Sequence, residues 1–180
     1  MPRAVLVVVG SVVIALLLLV IVWVYVWQPT PLPLTEPDPP LDQGAFALGN
    51  YYFNQDSDRG GPYDLQKAKK YYRQALREDP AKYPLAWYQL GRVYFIENRL
   101  HSAIYNFEQQ IKYFGDTVPN VYYMLGLSYG YKALETDDEA DWEAAEAGFL
   151  QFIEYAPESP WPRVDLAWVY FSQGKYAEML

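Results

Sequence analysis

The most regular hydrophobic pattern in the chain lies at Trp87-Tyr88-Gln89-Leu90-Gly91-Arg92-Val93-Tyr94. A bulky residue, Leu, Gly and Tyr stand at offsets 0, 3, 4 and 7, the spacing of one face of an α-helix. Ala103 follows nine residues after Tyr94 and Phe107 stands one turn beyond it, so a second helix presents a small residue and a ring. Gly91, without a side chain, lets that second helix approach closely. The pattern predicts an antiparallel helical hairpin over 85–97 and 99–113.

The pattern recurs along the chain. Leu48-Gly49 with Tyr52, then Ala68, Tyr72, Ala75 and Pro80, forms an earlier copy. Leu125-Gly126 with Tyr129, then Ala145, Phe149 and Pro157, forms a later one, and Leu166-Ala167 with Tyr170, Gly174 and Tyr176 begins a fourth. Helices are therefore expected over 43–55, 64–78, 85–97, 99–113, 119–132, 141–155 and 161–172, followed by a stub. Pro80, Pro84, Pro119, Pro157, Pro160 and Pro162 fall where a residue that cannot continue a helix belongs. The small residue follows the Tyr by nine positions in the central copy and by sixteen in its neighbours, so copies one and three share a seven-residue insertion. Asp64 and Asp141 each stand four residues before the small residue, placed to cap the second helix.

These residues, over about 41–180, resemble the tetratricopeptide repeat, whose period is about 34 residues. The long connections are similar to those of Sel1-type repeats. The resemblance implies an all-α fold: a right-handed superhelix of antiparallel hairpins, about three and a half repeats, at roughly 42–80, 84–117, 119–157 and, in part, 160–180. It also implies that the first helix of each pair lines a concave face where partners bind. Counted in the repeat frame, that lining is Phe46, Asn50 and Phe53, then Tyr88, Arg92 and Phe95. Tyr123, Leu127 and Tyr131 continue it, and Val164, Trp168 and Phe171 complete it. Aromatic and apolar apart from Asn50 and Arg92, such a strip fits an apolar or aromatic segment of a partner protein. Relatives that clamp chaperone carboxylates use two Lys, two Asn and an Arg. The matching places here hold Phe46, Asn50, Gln89, Asn120 and Met124, so that specificity is not expected.

The N-terminal segment has a different composition. Positions 4–27 carry no charge and span roughly 36 Å as a helix, enough for a hydrocarbon core of about 30 Å. The run closes in Trp23, Tyr25 and Trp27, as an interfacial aromatic belt does. Residues 1–27 are thus expected to be a retained single-pass anchor rather than a cleaved signal. Six prolines within 28–41 predict a semi-rigid polyproline spacer. Arg3 precedes the apolar run, whereas no Lys or Arg follows it before Arg59, and Glu36, Asp38 and Asp42 are acidic. This asymmetry places the N-terminus in the cytoplasm and residues 42–180 on the extracytoplasmic side, the periplasm in a bacterium.

Charge and chemistry narrow the function further. A net charge of -8 argues against a nucleic-acid backbone or an anionic lipid surface as the main partner. With no Cys there is no thiol nucleophile or thiolate metal site. The single His, His101, reads as an exposed polar residue, Gly60-Gly61-Pro62 as a turn, and Glu143 and Glu146 as a solvated helix face. The run Glu135 to Asp141 lacks the central Gly and terminal Glu of a calcium loop and reads as an acidic inter-helix loop. No catalytic, cofactor or metal site is expected, and the chain is not expected to be an enzyme. Helix 161–172 carries Trp161, Leu166, Trp168, Val169, Tyr170 and Phe171 with no polar cap after it. This predicts a covering element: a second copy, a partner subunit, a continuation of the chain, or the stub 175–180 folding back. The pattern as a whole points to a membrane-anchored interaction module or assembly adaptor. The alternative is a permanent structural subunit of a membrane complex.

Overall fold

The computed structural model describes residues 44–53 and 63–179. The expected anchor, the proline-rich spacer and the Gly60-Gly61 turn lie outside these residues. Every regular element among the described residues is helical. They are α1 (Ala45–Phe53), α2 (Leu65–Glu78), α3 (Ala86–Ile96), α4 (Leu100–Phe114), α5 (Asn120–Thr136), α6 (Glu139–Tyr155) and α7 (Trp161–Ser172), with 3₁₀ turns at Gly115–Thr117 and Tyr176–Met179. Each helix packs on the next, so the chain forms successive hairpins α1–α2, α3–α4 and α5–α6, with α7 against α6. Across hairpins, α3 also touches α5 and α5 touches α7. No helix among the described residues is long and apolar enough to cross a membrane.

One contact repeats in all three hairpins. A Cβ built on Gly49 would stand 2.5 Å from the Tyr72 ring, one on Gly91 2.5 Å from the Phe107 ring, and one on Gly126 2.8 Å from the Phe149 ring. Tyr72, Phe107 and Phe149 are themselves wholly buried, as are Ala68, Ala103 and Ala145 one turn before them. Each ring therefore fills the space that the opposite glycine leaves, at a separation no side-chain-bearing residue tolerates. In the third hairpin a second glycine tightens the fit from the other side. A Cβ on Gly148 would lie 2.7 Å from the backbone nitrogen of Gly126 and 2.9 Å from the carbonyl oxygen of Tyr122.

The helix ends follow local chemistry. Asp64 caps α2, its carboxylate accepting from the Lys67 N–H at 2.9 Å. Asp79, held extended by the following Pro80, closes that helix. The turn into α4 places Asn98 at φ 54°, and Gly174 takes the same left-handed place after α7 at φ 70°. The two turns share their hydrogen bonds. Arg99 N–H donates to the Tyr94 carbonyl, as Lys175 N–H does to Tyr170, each at 2.9 Å.

Two expectations fail in the third hairpin. The acidic run Glu135 to Asp141 is not an open loop, because α5 continues to Thr136 and α6 starts at Glu139. Only Asp137 and Asp138 separate the helices. Asp137 turns the chain in the left-handed region and Asp138 accepts from the Ala140 N–H at 3.0 Å, so Asp138, not Asp141, caps α6. Asp141 lies inside α6, buried, and its carboxylate is paired with Lys132 of α5. The insertion is absorbed by extra helix, and the part-buried Lys132–Asp141 ion pair joins the two helices near the turn.

Substitution of Gly148 by Ala tests the close approach by its sign. In an open helix Gly→Ala stabilises by up to about 1 kcal/mol. Here the added methyl meets rigid backbone, so Gly148→Ala is expected to destabilise by about 1–3 kcal/mol in chemical denaturation. A gain in stability would show that α5 and α6 are not held at this distance.

Candidate protein-interaction face

The twelve sequence-predicted lining residues fall on α1, α3, α5 and α7, the first helices of successive hairpins. Several meet across helix boundaries. The Arg92 guanidinium of α3 lies 4.8 Å from the centre of the Phe53 ring of α1 and 5.9 Å from that of Tyr88. Phe95 of α3 packs on Tyr131 of α5 at 5.9 Å, and Tyr131 packs on Trp168 of α7 at 5.7 Å. Tyr123 of α5 donates its hydroxyl proton to the Asp165 carboxylate of α7 at 2.6 Å. A continuous file of rings thus crosses from one first helix to the next.

Exposure varies along that file. Phe53 is buried, and Phe46 turns away to stack on Tyr83 at 5.1 Å. Asn50 accepts from the buried Tyr72 hydroxyl at 2.8 Å, while Leu127 packs within the second core cluster. Tyr88, Arg92, Phe95, Tyr123 and Trp168 are half-buried. The open part is at the C-terminal end, where Tyr131 is 46% exposed, Val164 60% and Phe171 59%. Beside Phe95 and Tyr131, a recess of about 290 Å³ is completed by Ile96, Asn98 and Leu100.

Several positioning residues had gone unassigned in the sequence. Gln110 of α4 is wholly buried and reaches the start of α3. Its Oε1 accepts from the Tyr88 N–H at 3.0 Å and its Nε2 donates to the Pro84 carbonyl at 2.5 Å. A side chain from the neighbouring helix thereby satisfies an orphan donor that Leu85, at the cap position, leaves open. The available signal was a glutamine on the apolar stripe of Ala103 and Phe107. Gly130 is another: a Cβ there would stand 2.7 Å from the Trp168 ring, so this glycine seats the ring. Asp165 is a third, holding Tyr123.

Hydroxyl-to-carboxylate bonds are common on this molecule. Tyr129 donates to Glu108 and Tyr170 to Glu146, each at 2.9 Å, and Tyr122 donates to Asp116. Burial first, and the adjoining carboxylate second, push the Tyr122, Tyr129 and Tyr170 hydroxyls up to about 12. Burial also raises Tyr72, Tyr88 and Tyr123. Asp116, fully exposed, is held below the usual carboxylate range by hydrogen bonds from Tyr122 and Tyr155. Among the described residues no three His, Asp or Glu side chains converge as a metal ion needs. The face offers rings, one guanidinium and the recess beside Phe95 and Tyr131.

No family model matches the chain, and no curated protein matches it either.

Two results are expected here. Gln110→Leu keeps the volume but orphans the Tyr88 N–H, costing about 1–3 kcal/mol in denaturant unfolding; an unchanged midpoint would mean Gln110 does not cap α3. Phenolate absorbance should rise late in the folded protein, with Tyr122, Tyr129 and Tyr170 ionising near 12 rather than 10. The unfolded state releases those protons first, so the stability they contribute is complete below pH 10 and lost as pH rises toward 12. A single phenolate transition near the ordinary value would contradict the bonding.

Proposed function

We propose that this chain is a membrane-anchored protein-interaction module that holds an apolar or aromatic partner segment on the face formed by α1, α3, α5 and α7. The observation that carries this reading is the ring file from Phe95 through Tyr131 to Trp168, left open at Tyr131, Val164 and Phe171. Neighbouring exposed rings of this kind serve as anchors in protein interfaces, and the recess bounded by Phe95, Ile96 and Tyr131 is sized for one inserted side chain. The successive hairpins and the threefold glycine–ring contact support the resemblance to tetratricopeptide repeats, in which this face is the concave side of a right-handed superhelix. The uncharged run 4–27 supports a single-pass anchor with the repeats on the extracytoplasmic side.

A second reading, a permanent subunit of a membrane complex, draws on the last helix. Trp161 is 67% exposed and Tyr176 61%, at the end of the stack, alongside Val164 and Phe171. A fixed neighbour covering α7 would bury all four.

Tyr131→Ser combined with Phe171→Ser removes the open anchors without touching a buried ring. Purified from its native membrane in mild detergent, wild-type protein should retain its partner, and the double variant should lose it, binding at least roughly twentyfold more weakly. Helicity by circular dichroism should be unchanged. Full retention by the double variant would refute the assignment of this face. A fixed, equimolar set of membrane proteins would favour the subunit reading over the adaptor.

A further inference from the structure

A second surface, formed by α2 and α4 with Trp87, Leu90 and Tyr94 of α3, has a different chemistry. Helix α2 carries Lys67, Lys69, Lys70, Arg73 and Arg77, five cations within 14 residues of a chain whose net charge is -8. Lys67 and Lys69 are paired with Asp64 and Glu97. Among the described residues, no carboxylate stands within ion-pair distance of Lys70, Arg73 or Arg77. Concentrated and unneutralised positive charge in an acidic protein is a selective attractor for anions.

The cations border two adjoining recesses. One, of about 300 Å³, runs along α2 and is lined by Gln66, Lys69, Lys70, Arg73 and Arg77. The other, of about 460 Å³, shares Arg73 and Arg77 and opens between α2, α3 and α4. Trp87 and Tyr105 wall the second recess, and their rings meet edge-on at 6.3 Å. His101 and Ser102, in the first turn of α4, also line it. Arg99, at the cap position of α4, makes no side-chain hydrogen bond to that turn, so its N–H groups add to the positive field.

A buried amide supplies an independent sign. Asn106 lines the cavity and is 4% exposed. Its Nδ2 donates to the Ser102 carbonyl at 2.7 Å, which distinguishes the nitrogen of the amide from its oxygen. Its Oδ1, shielded from solvent, accepts from nothing. An occupant of this cavity would need an anion for the arginines, an apolar group for the ring walls and an N–H donor within reach of a small rotation of Asn106. From Gln66 to Arg77 the trough follows twelve residues of helix, a rise of about 17 Å, the length of roughly five extended residues.

We propose that the trough along α2 and the cavity at its end bind an acidic peptide segment of a partner protein. A carboxylate meets Arg73 and Arg77, an adjacent apolar side chain enters between Trp87 and Tyr105, and the backbone supplies the N–H. An isolated phosphate has no apolar group for the ring walls and fills only a fraction of the trough, and a flat lipid surface does not reach ring walls set in a recess.

The test uses full-length protein in dodecyl maltoside and a fluorescein-labelled hexapeptide of alternating Glu and Trp, followed by anisotropy. Arg73→Gln with Arg77→Gln, both exposed positions, should weaken binding at least about tenfold while the circular dichroism spectrum stays the same. The same peptide with Gln for Glu should bind as weakly to wild-type protein. Tyr131→Ser with Phe171→Ser should leave affinity unchanged, separating this surface from the first-helix face. Equal affinity for the neutral peptide, or an arginine variant that binds normally, overturns the proposal. So does arginine-dependent sedimentation with phosphatidylglycerol vesicles in the absence of peptide binding, which would assign the surface to lipid.

Discussion

The contact on which this structure depends is an aromatic ring seated on a glycine. Gly49 under Tyr72, Gly91 under Phe107 and Gly126 under Phe149 bring the two helices of each hairpin closer than a methyl group permits. The ring restores the lost packing density, so close approach leaves no void. A larger residue at the glycine would displace the ring, and a smaller one at the ring would open a cavity costing about 3–5 kcal/mol. The same contact recurs in each of the three hairpins, and the hairpins stack in succession.

Fixed hairpin geometry determines what the outer faces present. With Tyr72, Phe107 and Phe149 occupying the inner seam, the first helices direct Phe95, Tyr131 and Trp168 toward one another across hairpins. Gln110 reinforces this arrangement by tying α4 to the first turn of α3, beside Tyr88. The second helices present the basic side chains of α2 on another surface. A single packing rule thereby yields one face rich in rings and one rich in cations.

Much of this order is legible in the chain because it follows from local spacing. The Leu-Gly-x-x-Tyr and Ala-x-x-x-ring patterns impose helical periodicity, and each helix expected from the repeats forms among the described residues, most within two residues of its expected ends. Asp64 reads correctly as a cap because its role involves only the next three residues. Asp141, at the equivalent spacing, does not. Its role is set by Lys132 on the other side of a helix boundary, and Asp138 takes the cap instead. Gln110 and Gly130 act on residues 22 and 38 positions away, Tyr88 and Trp168, contacts that periodicity alone does not encode. Exposure within the ring file is equally non-local: Phe46 and Phe53 share the spacing of Val164 and Phe171, but only the latter pair stands open.

A photoreactive amino acid placed at position 131 of the full-length protein in its native cells would test the central assignment most directly. Leu150, exposed on a second helix, provides the matched control position. If the first-helix face is the docking surface, irradiation should join position 131 to a partner in a discrete heavier product that position 150 does not give. Absence of a product at 131, or the same product from both positions, would contradict it.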